Sequence, residues 1–222
     1  MNNEQKLFNG KPILLGTFPI DIEEMMFYLY LPIKMANDVH WKIPERLKVF
    51  KPLIIESLKD LIECHGAEYF QESYIYISAK NVWATPDNVG GRAGYHIDGF
   101  MTQDLSYLWC NTAPTIFNSG YFNLTLDHER SMMEMELQAF KEKEYTMNNF
   151  DLLRIDSTVV HRTPDIVKPS MRCFFKLNVS KEKYNLKGNS HNYLFDYDWK
   201  LHDRQAVRNE PATANLDAVI ER

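Results

Sequence analysis

Residues 170 to 180, SMRCFFKLNVS, alternate two kinds of side chain: Met171, Cys173, Phe175, Leu177 and Val179 on one side, Arg172, Phe174, Lys176 and Asn178 on the other. Successive side chains of an extended strand point to opposite faces, so the segment predicts a β-strand with one face fit for a core and the other fit to line a polar cavity. A helix would scatter both sets around its circumference. Any fold this chain adopts must therefore supply two different environments on the two sides of one strand.

The segment SYIYISAKNVW (73–83) repeats the period of two, with Tyr74, Tyr76, Ser78 and Lys80 opposite Ile75, Ile77 and Ala79. By contrast, PERLKVFKPLIIESLKDLIECHG (44–66) carries Leu47, Phe50, Ile54, Leu58 and Leu61 at steps of three and four, which is one helical stripe. Pro44 suits its opening, Pro52 is expected to bend it, and Gly66 suits its end. TIFNSGYFNLTL (115–126) and FDLLRIDSTVVHRTP (150–164) are rich in β-branched and aromatic residues, and HERSMMEMELQAFKEKE (128–144) is helix-prone. Short strands at close spacing with helices before and within them predict a mainly β fold with flanking helices, a small barrel or sandwich.

A chain of 222 residues, 45% hydrophobic, fits one domain. We divide it into an N-terminal region with its buttressing helix (1–72), a β core (73–180) and a C-terminal extension (181–222). In the extension Tyr193, Phe195, Tyr197 and Trp199 alternate and call for burial, whereas the terminal PATANLDAVIER is expected to be loosely held.

The net charge of −5 gives no global positive field, which disfavours nucleic acid and acidic membranes as partners and leaves a local basic groove as the one route to them. Three cysteines without a CxxC suit structural thiols in a reducing compartment. The run MMFYLYL is seven residues long and follows DIEE, so it reads as neither a membrane span nor a secretory signal; the expected location is the cytoplasm. The oligomeric state is not legible.

Chemistry concentrates in GYHIDGF (94–100), where His96 stands two residues before Asp98 between glycines. Alone, the pair reads more readily as an ordinary loop contact than as a metal site. Downstream, however, His161 follows after 62 intervening residues and Arg172 after ten more, at the start of the alternating strand. Two imidazoles and a carboxylate on one face of an octahedral Fe(II) leave three adjacent positions open, and a guanidinium can hold a carboxylate by two charge-assisted hydrogen bonds. In an extended chain His96 and Asp98 would point the same way, with Ile97 packing behind.

These residues resemble the motif of the Fe(II)/2-oxoglutarate-dependent oxygenases. The resemblance spans about residues 73 to 180 and implies a double-stranded β-helix (jelly-roll, cupin-like) core. It also implies Fe(II) bound by His96, Asp98 and His161, a 2-oxoglutarate carboxylate anchored by Arg172, and dioxygen as the further reactant. In many members a serine or threonine stands two residues after the arginine; here that place is Phe174. Lys176, on the same predicted face, is a second candidate for the cosubstrate's carboxylate, and Arg162 should point the other way.

Retention of Asp98 implies hydroxylation of an unactivated C–H bond with succinate and carbon dioxide as co-products, the substrate being a small polar molecule or a peptide or protein side chain. A metal-dependent isomerase or lyase and a non-catalytic ligand-binding barrel are the alternatives. Arg92 and Tyr95 in NVGGRAGYH are candidate substrate contacts. So are Tyr107 and Trp109 in DLSYLWC, for which core packing is the favoured role. The glycine run is no phosphate loop, since a strand and not a helix follows it.

Overall fold

The structure, a computed structural model, describes residues 4 to 204; the terminal PATANLDAVIER lies outside the described residues. The alternating segment forms strand β11 (Ser170–Ser180) at the heart of a six-stranded antiparallel sheet. Its neighbours are β4 (Tyr74–Ala84) and β5 (Leu105–Cys110). Beyond β4 lies β3 (Met26–Lys34), and beyond β5 lie β9 (Asp151–Asp156) and β2 (Ile13–Thr17).

Register decides what shares a face. Phe175 pairs with Ala79 on one side and Trp109 on the other, and Lys176 pairs with Ser78 and Leu108. Residues directly opposite one another in an antiparallel pair point the same way, so the apolar sets of three strands merge into one surface and the polar sets into the other.

The apolar surface is covered by α1 (Lys51–Glu72), preceded by a 3-10 turn at Glu45–Phe50. Leu47, Phe50, Ile54, Leu58 and Leu61, the stripe visible in the sequence, are buried against Ile77, Trp109, Phe175 and Leu177, and the rings of Phe50 and Phe175 stack at 5.0 Å. Each such side chain contributes about 1.5–3 kcal/mol by leaving water.

One expectation about this helix is corrected: Pro52 falls in the first turn, where its missing N–H is no loss, so it does not bend the middle. Gly66 breaks helical geometry as expected, at φ 85° and ψ 162°, and a second helical run follows it across the kink to Glu72. The end of that run is marked by the buried Lys34, which donates to the carbonyls of Met35, Gln71 and Ser73 at 3.0, 2.9 and 2.7 Å and supplies positive charge where helix carbonyls run out of partners.

The N-terminal region does more than buttress. Within it β1 (Gln5–Phe8) pairs with β7 (Phe122–Thr125), β2 with β9, and β3 with β4. Strands β1 and β2 show little burial alternation, which is why the period-two signal is silent there.

A three-stranded sheet, β10 (His161–Arg162), β6 (Ile116–Asn118) and β8 (Glu144–Thr146), faces the polar side of the large sheet across Leu108, Phe117, Leu153, Ile155 and Val159. Helix α2 (His128–Gln138) covers its far side with Met132 and Met135, among Phe8, Ile97, Phe122 and Val160. The carboxylate of Asp127 caps α2 by accepting from the N–H groups of Glu129 and Arg130 at 3.1 and 2.9 Å. The fold is thus mainly β, with antiparallel sheets and a helix on either flank.

Among the described residues no helix is long and apolar enough to cross a membrane. In the extension Phe195, Tyr197 and Trp199 are half-buried and alternate with the exposed Asp196 and Asp198, Trp199 standing edge-on to Tyr74 at 5.6 Å, whereas Tyr193 is largely exposed.

Candidate metal centre

GYHIDGF is a bridge followed by a turn, not a continuous strand. The backbones of His96 and His161 exchange hydrogen bonds, His96 N–H to the His161 carbonyl at 2.9 Å and the reverse at 3.0 Å. The chain then reverses at Gly99. Gly94 and Gly99 lie at φ 75° and 64°, and a Cβ on Gly99 would stand 2.6 Å from that of Asp104, so both flanking glycines answer to backbone geometry.

Both histidines are buried and their rings are 4.5 Å apart. Each Nδ1 faces a carbonyl oxygen, His96 that of Gly94 at 3.0 Å and His161 that of Val159 at 3.1 Å. With the Nδ1 protons donated there, each Nε2 keeps its lone pair for a ligand. One ligand atom from each of His96, Asp98 and His161 falls within 4.8 Å of the other two.

Burial, and then the neighbouring His161, push the His96 imidazole down to about 3, and burial lowers His161 as well, so both rings are neutral at physiological pH. For Asp98 burial works the other way, but Lys176, whose ammonium donates to Oδ2 at 3.0 Å, outweighs it and with the two imidazoles holds the carboxyl well below the usual range. Reciprocally, Asp98 overcomes the burial of Lys176 and keeps it protonated.

The centre opens on a cavity of about 780 Å³ between the polar face of the large sheet and the smaller sheet. Arg172 reaches it from β11 and is 5% exposed. Its Nε donates to the Ala113 carbonyl at 3.0 Å, its guanidinium sits 5.2 Å from the Phe174 ring, and it has no acidic partner among the described residues. Ala113 itself is held at φ 47°, a strained conformation for a residue with a side chain.

Lys176 shares this face as expected, but its ammonium is committed to Asp98. Arg92 lines the cavity, beside Thr163, whose hydroxyl donates to the Arg92 carbonyl at 3.1 Å. Arg162 is engaged by Glu144 and Asp165, each at 2.8 Å.

Three candidate substrate contacts do not meet the cavity, and for Tyr107 and Trp109 the favoured core role is the one they take. Tyr107 and Trp109 point to the helix side of the sheet, because they alternate with Leu108 and only Leu108 faces the cavity. The Tyr107 hydroxyl donates to Asp60 at 2.9 Å, and the Trp109 indole donates to the Phe18 carbonyl at 3.0 Å. Tyr95 lies behind the centre under α2, its hydroxyl bonded to Glu144 and Asn118.

No family model matches this sequence, and no curated protein is similar to it. Among solved structures the chain is similar to a bsmA homolog from Methylobium petroleophilum PM1, at 12% identity over 79% of this chain and 70% of that one, with a TM-score of 0.34. So distant a likeness carries no argument about fold or chemistry.

The sequence reading missed two further cavity residues. Tyr30 sits at φ 46° where β3 slips register against β4; its N–H donates to the Ser78 hydroxyl at 3.0 Å, and the Lys176 ammonium lies 5.3 Å from its ring. Irregularities of this kind in a strand re-aim side chains, and no local pattern announces them. Lys80, paired across the sheet with Phe174, also lines the cavity. Its place on the polar side of β4 was readable, but not the company it keeps.

Proposed function

We propose that the protein is an Fe(II)- and 2-oxoglutarate-dependent oxygenase that hydroxylates an unactivated C–H bond of a small molecule or of a peptide or protein side chain, on a double-stranded β-helix (jelly-roll) core. One observation carries this reading: the cluster of buried His96 and His161 with half-buried Asp98, and a buried arginine without an acidic partner among the described residues, open on the same cavity. The facing antiparallel sheets, with the histidines bridged at one end of the smaller, support the core.

The residues fit the metal. Two neutral imidazoles with Nε2 available and one ionised carboxylate form a donor set suited to Fe(II). His96, Asp98 and His161 would hold the ion, and it would supply, with dioxygen, the oxidation that converts 2-oxoglutarate to succinate and carbon dioxide and hydroxylates the substrate. The chain's own residues do the rest. Carbonyls fix the imidazole tautomers, and Lys176 keeps Asp98 deprotonated and oriented. Arg172, already desolvated, takes the cosubstrate's remote carboxylate, with Thr115 on the same cavity wall offering a hydroxyl where Phe174 cannot. Phe174 and Leu108 add apolar wall that limits water.

The Lys176–Asp98 ion pair favours a second reading, a metal-free ligand-binding barrel in which lysine neutralises the aspartate. One experiment separates the two. Under anaerobic conditions the wild type should bind one Fe(II) and, with 2-oxoglutarate, develop a weak visible charge-transfer band. The band should vanish in His161→Ala, and in Arg172→Ala require on the order of 30-fold more 2-oxoglutarate. Iron without the band would favour the isomerase or lyase, and failure to bind iron would favour the barrel.

A further inference from the structure

The chain as a whole is acidic, yet its cavity is not: seven Lys and Arg side chains line it against three Asp and Glu, in a protein of net charge −5. A concave low-dielectric surface of one sign concentrates ligands of the other. Three of these seven cations have a role already. Lys176 is paired with Asp98, and Arg162 with Glu144 and Asp165. In the proposed reaction Arg172 serves the cosubstrate.

Lys80 is among the rest. Its ammonium donates to the Gly90 carbonyl at 3.1 Å and stands 5.1 Å from the Phe27 ring, and no acidic group pairs with it among the described residues. Burial, followed by the nearby charges of Lys176 and Arg172, lowers it to about 8, so the lysine is still charged at neutral pH but surrounded by groups that resist its charge. An anion would relieve that repulsion. Asp104, the cavity's other buried acid, already accepts a hydrogen bond from the Tyr184 hydroxyl. The Gly90 carbonyl belongs to the glycine-rich loop over the cavity, where Gly91 approaches Thr163 so closely that a Cβ would lie 2.5 Å from its methyl carbon. Lys80 is therefore held beneath the loop, one strand away from Arg172.

We propose that the primary substrate carries its own oxyanion, a carboxylate or a phosphate, and that Lys80 seats it while Arg172 holds 2-oxoglutarate. This rests on the oxygenase reading for the identity of the second ligand, but the anion seat itself does not need the metal. It narrows the substrate class: a neutral sugar, base or amide lacks the group that this wall is built to receive.

The test uses calorimetric titration of the full chain saturated with 2-oxoglutarate, with inorganic phosphate and acetate as separate probes and glycerol as the neutral control. The wild type should bind at least one of the two anions, and the preferred one tells phosphate from carboxylate substrates. Lys80→Gln should weaken that binding at least about tenfold while its 2-oxoglutarate affinity stays within about twofold of wild type. Lys80→Arg should restore most of the loss, which a merely structural lysine would not predict.

Three results overturn the proposal: anion binding unchanged in Lys80→Gln, neither anion bound by the wild type, or 2-oxoglutarate affinity falling in Lys80→Gln as far as in Arg172→Gln. The last would make Lys80 part of the cosubstrate site. If the wild type binds no 2-oxoglutarate, the oxygenase reading fails by itself; the same titrations without it then decide the anion seat, which stands if Lys80→Gln loses a bound anion and Arg172→Gln retains it.

Discussion

Two arginines on opposite sides of one sheet are treated in opposite ways. Arg154, on the helix side, is satisfied by the protein: both oxygens of Asp60 accept from it, at 2.9 and 2.8 Å, and the Tyr107 hydroxyl donates to the same carboxylate. Arg172, on the cavity side, is buried with a carbonyl and an aromatic face and has no acid beside it among the described residues. Desolvating a cation without a counter-charge costs free energy that folding alone does not return. A structural pair closes its own account; a half-pair of this kind points to a ligand that supplies the other half. The two sides of β11 thus divide stability from binding.

The largest expected effect tests that division along one strand. Phe175→Ala removes a fully buried ring stacked on Phe50 and should cost about 3–5 kcal/mol in urea unfolding, whereas Phe174→Ala, on the cavity wall, should cost no more than about 1.5 kcal/mol. Equal losses would erase the distinction.

Next comes the arginine comparison itself. Asp60→Ala strands Arg154, whose side chain is 16% exposed, and should destabilise by about 2–4 kcal/mol. Arg172→Gln should change stability by less than about 1 kcal/mol, or raise it, because it removes an uncompensated charge. Urea midpoints of the two variants, read beside 2-oxoglutarate binding, check both halves.

A third prediction concerns pH in the metal-free protein. The folded pKa of His96, about 3, lies below the unfolded value of 6.5, so between these the unfolded chain binds the extra proton and stability falls as pH falls. The slope should be about 1.4 kcal/mol per pH unit from His96, starting near pH 6.5, with a contribution of the same sign from His161. Asp98, whose carboxyl is depressed, begins to add to the loss only below its unfolded value near 3.8. Unfolding free energies from pH 7 to pH 5 should flatten by one histidine's share in His161→Gln; an unchanged slope would mean that this imidazole is not kept neutral by burial.

The smallest effect sharpens the idea that the cavity side carries strain. Ala113→Gly relaxes φ 47° and should stabilise by about 0.5–1 kcal/mol in thermal unfolding, leaving the Arg154 pair untouched. A loss of stability there would mean that the conformation is not strained.

Much of this was legible in the chain itself. The faces of β4 and β11, the stripe on α1 and the helix at α2 are local patterns, each written within one element, and the structure follows them. The order His96, Asp98, His161, Arg172 was visible too, and His96, Asp98 and His161 do converge. For Tyr107 and Trp109 the favoured core role held, but DLSYLWC left open which face of β5 would meet the cavity until pairing with β11 chose.

By itself, then, the sequence determined which faces are apolar, where helices form and which residue types stand ready for a metal and a carboxylate, because side-chain direction in a strand or helix is a matter of local period. Only the tertiary structure decided which charges meet. Lys176 finds Asp98 across 78 residues, Arg154 finds Asp60 across 94, and Arg172 and Lys80 find no acid among the described residues. Those outcomes depend on register and on the approach of distant strands, and electrostatic energy depends on the separation of charges in space, which no local pattern encodes.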